Sequence, residues 1–275
     1  MAGTPSEKKV RVALAQIQVE LGNRKKNQST IRKWMEKYYT PSKLPTAVVL
    51  PELWDVGYAL DSVPELSDPN GEQALAFLGE LAKEYGTWFV GGSVMVRDKE
   101  SFYNRSQAIN PSGELISEYN KAHLVPFITK EDDIFTPGNS ANIFDFSGVK
   151  SGSIICYDMR FPEWVRTYAL DGAEILFVSG QWTPERMHLW KTMLCAHAIE
   201  NLMYVVATNN CGPSGDLNFG GGSLVCSPAG EVLLEAGTSA NGMFVDLDLS
   251  SVQSDRTYLK VFEKRRPELY RRLVE

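Results

Sequence analysis

The sequence predicts an α/β fold of mixed strands and helices in one domain. Three observations carry this reading. Apolar runs of strand length recur between segments with helical spacing, polar and reactive residues follow those runs, and no linker-like or low-complexity stretch divides the 275 residues. With 43% hydrophobic and 11% aromatic residues, the chain can bury a large core.

Residues 10–19 read as a first strand with Val12 and Leu14 alternating, and after Gly22-Asn23 the segment 27–39 places Ile31, Trp34, Met35 and Tyr38 on one helical side. Residues 46–50 form a continuous apolar run, as expected of a strand covered on both faces, and deliver Pro51-Glu52-Leu53-Trp54 to its end. A second amphipathic helix is expected over 71–85, with Leu75, Leu78 and Leu81 in its stripe, then a strand over 87–95 containing Gly91-Gly92. Residues 101–110 and 114–119 read as a hairpin across Pro111-Ser112-Gly113 that leads to Lys121. The polar segment 125–139 reads as a loop, of a length that is often functional. Beyond the stretch 151–164 a helix is expected over 162–170, a strand over 173–179, a long helix over 184–202 and a strand over 203–209. A glycine-rich turn at 215–222, a hairpin of 223–226 with 232–235, a last strand at 243–249 and a charged, aromatic tail from about 250 to 275 complete the chain.

Charge narrows the function classes. Lys and Arg number 28 against 34 Asp and Glu, a net −6, which suggests no polyanion-binding surface, so nucleic acid is not an expected partner. The apolar runs are far too short to span a bilayer, and residues 1–9 lack the apolar stretch of a signal peptide, so a cytoplasmic location is expected. Cys156, Cys195, Cys211 and Cys226 show no C-x-x-C spacing, and reduced thiols are the simpler reading. His123, His188 and His197 fall in no metal-binding arrangement, so no metal site is indicated.

The stretch 151–164 organises the chain. A β-branched run ends at Cys156, and polar residues lead to Pro162, which suits a first helical turn, so the cysteine is expected at a strand-to-helix turn. Backbone N–H groups at a helix start lower a thiol's pKa and can hold an oxyanion. A buried structural cysteine is the competing reading. Glu52, Lys121 and Cys156 each follow a strand-like run, the place where open α/β sheets put their ligands. Taken singly, they could be a helix-start carboxylate, a surface lysine and core filler.

Together with their neighbours they are more specific. Pro-Glu-Leu-Trp at 51–54, Tyr-Asn-Lys-Ala-His-Leu at 119–124 and Cys-Tyr-Asp-Met-Arg-Phe-Pro-Glu at 156–163 resemble, in order, the three motifs of the nitrilase superfamily of carbon–nitrogen hydrolases. The resemblance runs from about Val10 to Tyr270. It implies a four-layer α-β-β-α sandwich with Glu52 as general base, Lys121 as electrostatic stabiliser and Cys156 as nucleophile. Glu131, next to Asp132 and Asp133, is similar to a second glutamate such proteins use. An amide carbonyl is a poor electrophile, so these residue types fit: a strong nucleophile, a base and a charge for the oxyanion. Lys121 and the Tyr157 backbone N–H would hold that oxyanion, and no cofactor is required. A His123–Cys156 dyad is the rival site, but it shows no family-specific signature, and His123 reads better as fixing the loop that carries Lys121. His188 and His197, nine apart on one helix, are expected on different faces.

The residues after Cys156 are similar to the ω-amidase and Nit-like branch, whose members hydrolyse the terminal amide of 2-oxo dicarboxylic monoamides such as 2-oxoglutaramate and 2-oxosuccinamate. The segment from Glu185 to Asn201 and the tail from Phe262 to Tyr270 resemble the same branch, although His197 stands where many relatives carry arginine. A distal carboxylate needs a cation opposite it, for which Arg160 and Arg186 are the candidates. Trp54, Tyr58, Phe127 and Trp182 could line the pocket. The resemblance also implies a homodimer joined near the helices at 162–170 and 184–202. The alternatives are an amidase for other small aliphatic amides or N-carbamoyl compounds, and a silent metabolite-binding member of the fold.

Overall fold

The computed structural model describes residues 8–90, 92–127, 129 and 131–273; the polar stretch 1–7 and Gly91 of the Gly91-Gly92 pair lie outside the described residues. The strands are β1 (Lys9–Gln16), β2 (Thr46–Val49), β3 (Asp68–Pro69), β4 (Trp88–Phe89), β5 (Val94–Asp98), β6 (Ser101–Ile109), β7 (Leu115–Asn120), β8 (Ile143–Phe146), β9 (Val149–Ile155), β10 (Ile175–Gly180), β11 (Tyr204–Asn209), β12 (Cys211–Ser214), β13 (Leu217–Gly220), β14 (Leu224–Cys226), β15 (Val232–Glu235) and β16 (Asn241–Asp248). The helices are α1 (Arg24–Tyr38), α2 (Val63–Leu66), α3 (Glu72–Tyr85), α4 (Pro162–Leu170), α5 (Met187–Asn201) and α6 (Ser250–Leu259).

One sheet runs β16-β1-β2-β4-β6-β5-β3, with β7 paired to β6; the other runs β15-β14-β11-β10-β9-β8. β1, β2 and β4 are parallel neighbours, as are β9, β10 and β11. Parallel neighbours need crossover connections. Helices α1, α3, α4 and α5 fall in those connections.

Side-chain alternation assembles the layers. Along β1, Val12 and Leu14 enter the space between the sheets while Ala13 and Ala15 face α1 and α3. Along β10, Ile175 and Phe177 enter the same central layer, and Leu176 and Val178 pack with Trp190, Leu194 and Ala198 of α5. The order is helices, sheet, sheet, helices: a four-layer α-β-β-α sandwich.

The structure corrects several readings. The strand expected over 87–95 is two strands, β4 ending at Phe89 and β5 starting at Val94; between them Gly92 takes φ +71° and passes so close to Leu50 that a Cβ would lie 2.7 Å from that side chain's own Cβ. The glycine-rich turn at 215–222 is half of the hairpin β12–β13, in which Gly212 and Gly215 take positive φ. The long helix starts with a 3₁₀ turn at Pro184–Arg186, and Leu202 closes it in the left-handed region. The loop at 125–139 contains a 3₁₀ turn at Glu131–Asp133. All four cysteines are free, with Cys195 and Cys226 Sγ atoms 2.9 Å apart. Among the described residues no helix is long and apolar enough to cross a membrane.

Phe177 sits fully buried in the central layer with ring centroids 6.3 Å from Phe144 and 6.1 Å from Phe146. Phe177→Ala is expected to cost about 3–5 kcal/mol, read as a lower urea midpoint at unchanged slope.

Candidate active site

Glu52 follows β2, Lys121 follows β7, and Cys156 follows β9. The three meet at one end of the two sheets. Lys121 Nζ donates to Glu52 Oε1 at 2.8 Å and to both Glu131 oxygens at 2.9 and 2.7 Å, with all three side chains fully buried. Asn104 Nδ2 also donates to Glu52 Oε1, at 2.9 Å, and the Val125 N–H donates to Glu131 Oε2 at 3.0 Å. Glu52 Oε2 makes no hydrogen bond of ordinary length among the described residues, and the Tyr58 hydroxyl lies near this carboxylate.

Burial pushes the Glu131 carboxyl above its usual range, Lys121 opposes that, and the charge of Glu52 adds to it. Burial alone would lower the Lys121 pKa, but Glu131 and Glu52 outweigh it and hold the ammonium above the ordinary lysine value.

Cys156 opens a 3₁₀ turn, Cys156–Arg160, and α4 begins only at Pro162. Its φ of +49° lies in the left-handed region, unusual for a side chain other than glycine. The helix-start expectation for the thiol is reversed. Burial pushes its pKa well up, Glu52 adds to that, and Lys121 and the Gln181 backbone N–H pull the other way. Ionising this thiol therefore calls for a base.

The sulfur opens on a cleft of about 530 Å³, mouth included, whose lining contains Tyr58, Phe127, Tyr157, Arg160, Trp182 and Arg186. The Arg160 guanidinium lies over the Trp182 ring at 5.2 Å and that of Arg186 over Phe127 at 5.3 Å. Trp54, in contrast, is not in this lining; it is buried in the layer between α3 and the first sheet, 6.0 Å from the Phe77 ring. Its indole follows Leu53, whose φ of +43° redirects the chain after Glu52.

His123 does not face the sulfur as a dyad partner would. Its Nδ1 lies 2.8 Å from Asp158 Oδ1 and its ring stacks on Phe161 at 3.7 Å. His188 is exposed, whereas His197 is buried, its Nε2 2.7 Å from the Met159 carbonyl oxygen and its Nδ1 3.0 Å from Glu200. Sequence reasoning missed Asn104, Gln181 and Asp158. Gln181 follows β10 and donates to the Glu52 carbonyl at 2.5 Å, so the strand-end rule that found Cys156 could have found it.

With this geometry in place, comparison with known proteins is informative. The family model for carbon-nitrogen hydrolases matches residues 11–257. The chain belongs to this family, within the nitrilase superfamily. The hydrolase is 37% identical to the 2-oxoglutaramate amidase of Bacillus subtilis (strain 168), covering 94% of this chain and 98% of the relative. It is 32% identical to the Homo sapiens omega-amidase NIT2, over 81% of this chain and 84% of that one. Among solved structures, Saccharomyces cerevisiae Nit3, a member of branch 10 of the superfamily, superposes with a TM-score of 0.85 at 27% identity, covering 97% of this chain and 100% of the other.

In this hydrolase Lys121→Met would leave Glu52 and Glu131 buried together without their cation. The expected loss at pH 8 is about 3–5 kcal/mol. The Glu131 pKa, already raised in the folded state, would rise further. A group whose folded pKa is raised loses stability as pH rises through that value, so the deficit should shrink on going from pH 8 to pH 5. Urea midpoints of both proteins at the two pH values check this; a deficit independent of pH would contradict it.

Proposed function

We propose that this hydrolase is a cofactor-free amidase of the ω-amidase type. Its substrates would be small 2-oxo dicarboxylic monoamides such as 2-oxoglutaramate and 2-oxosuccinamate, and its products the acid and ammonia. One observation carries the reading: a buried Lys121 ammonium between two glutamates stands beside Cys156, at a cleft whose two arginines each lie over an aromatic ring. Among the described residues neither Arg160 nor Arg186 has a carboxylate within salt-bridge distance. Two such guanidiniums suit a substrate with a distal carboxylate. The names of the B. subtilis and human relatives support the same class.

In this mechanism Glu52 Oε2 takes the thiol proton as Cys156 Sγ attacks the amide carbonyl carbon. Lys121 Nζ and the Tyr157 N–H receive the negative charge that develops on the oxygen. The tetrahedral species collapses with cleavage of the C–N bond, Glu52 returns its proton to the nitrogen, and ammonia leaves a thioester on Cys156. Water then gives a proton to Glu52 and its oxygen to the carbonyl carbon, the C–S bond breaks, and the thiol recovers the proton. Glu131 keeps Lys121 in place throughout. The proposal extends to a single hydrolase domain over the chain with its tail from about 250, a cytoplasmic setting and a homodimer. The exposed Leu170 on α4 and Ile199 on α5 support an interface on that side. Amidases for simple aliphatic amides or N-carbamoyl compounds are the rival reading.

Ammonia release from 2-oxoglutaramate, 2-oxosuccinamate, an aliphatic amide, an N-carbamoyl amino acid and a nitrile separates these. Turnover is expected only for the 2-oxo acid amides, and Cys156→Ala should lower kcat by about 10³-fold or more. Arg160→Ala or Arg186→Ala should raise KM for 2-oxoglutaramate by about tenfold, the loss of one charge-assisted hydrogen bond. Turnover surviving Cys156→Ala would remove the nucleophile assignment, and preference for another amide would remove the substrate class.

A further inference from the structure

Asp158, two residues past Cys156, is fully buried and takes no direct place in the chemistry described above. Four donors converge on its carboxylate. Oδ2 accepts from the Ile155 N–H at 2.9 Å and from the Tyr119 hydroxyl at 2.7 Å; Oδ1 accepts from the His123 N–H at 2.9 Å and lies 2.8 Å from His123 Nδ1. The donors come from two separate pieces of chain. Ile155 is the last residue before the nucleophile, while Tyr119 and His123 flank Lys121 on either side.

The Tyr119 hydroxyl ties the second piece tighter. It accepts from the Ala122 N–H at 3.1 Å and from Trp164 Nε1 at 3.0 Å while donating to Asp158. The His123 ring is clamped between this carboxylate and the face of Phe161, with Trp164 in an edge-to-face contact at 5.8 Å. Cys156 is meanwhile held at a positive φ that a side chain leaves unless its surroundings fix it. The Asp158 bond to Ile155 acts on the peptide directly before that strained residue.

We infer that Asp158 is a positioning residue, which locks the backbone turn of Cys156 to the segment carrying Lys121 and so sets the sulfur-to-ammonium geometry on which amide attack depends. This rests on the hydrolytic reading above, though not on its choice of substrate. Asparagine is a sharp probe. It keeps the shape of aspartate, yet an NH₂ in place of either oxygen faces a backbone N–H that can only donate, that of Ile155 on one side or of His123 on the other. One backbone bond is lost whichever way the amide is oriented.

The test uses the full chain. For Asp158→Asn, kcat with 2-oxoglutaramate should fall about 100-fold, the scale of a misplacement near 1 Å, with KM within about threefold. Independently of any substrate, the rate at which iodoacetamide alkylates Cys156, followed by peptide mass with Cys195, Cys211 and Cys226 as internal references, should fall about tenfold, because removing its base and cation from reach lowers the reactive thiolate. A kcat within about threefold of wild type, or a lost kcat with alkylation unchanged or faster, would overturn the assignment. Should Asp158→Asn not fold, judged by circular dichroism, Tyr119→Phe decides instead: it deletes one of the four donors and is expected to lower kcat and alkylation together, each by about tenfold, one lost charge-assisted hydrogen bond. If wild type releases no ammonia from 2-oxoglutaramate, the substrate reading fails by itself, and the alkylation ratio still decides the role of Asp158.

Discussion

Lys121 carries its ammonium into a space without solvent exposure, between Glu52 and Glu131, and much else in the molecule exists to keep it there. Two carboxylates could not be buried at this separation without a cation between them, since each has lost its hydration. The lysine backbone is fixed as well. Its N–H bonds the Asn104 carbonyl and its own carbonyl accepts from the Gly138 N–H, each at 2.9 Å. Gly138 comes so close to Asn120, the residue before Lys121, that a Cβ would lie 2.1 Å from the Asn120 carbonyl oxygen. A loop that looks irregular in sequence is thus a clamp around one charge.

The sandwich supplies what the clamp alone cannot, namely residues from both sheets at one place. Glu52 arrives at the end of β2 in one sheet, and Cys156 and Gln181 at the ends of β9 and β10 in the other. Hydrogen bonds stitch these ends together: Gly92 N–H to Ser179 Oγ at 2.5 Å, Gln181 Nε2 to the Glu52 carbonyl at 2.5 Å and, longer, the Glu52 N–H to the Gly180 carbonyl at 3.5 Å. Packing of the central layer therefore has a direct bearing on how far the carboxylate stands from the sulfur.

The parts of this arrangement that could be read from the sequence are those with a local signature. Buried parallel strands appear as apolar runs, such as those of β2 and the close of β9, and their ends point to Glu52 and Cys156. The four-layer order came from motif resemblance, because periodicity alone does not say which sheet a strand joins. What stayed hidden depends on distant partners. Asn104 lies in a strand of mixed character, and only the fold brings it against Glu52, 52 positions away. Trp54 looked like a pocket residue because it adjoins Glu52, but the left-handed turn at Leu53 sends its indole into the core. The thiol was expected to be activated by a helix start; three-dimensional burial beside a carboxylate reverses the sign.

The left-handed backbone at Cys156 bears on how such a protein can change over time. Glycine would occupy that position without strain, while any side chain there costs conformational energy of the order of 1 kcal/mol. Cys156 is thus held against a standing conformational bias. The substitution that would relieve this strain, Cys156→Gly, would also remove the sulfur, so under the proposed mechanism the most relaxed backbone at this position is an inactive one.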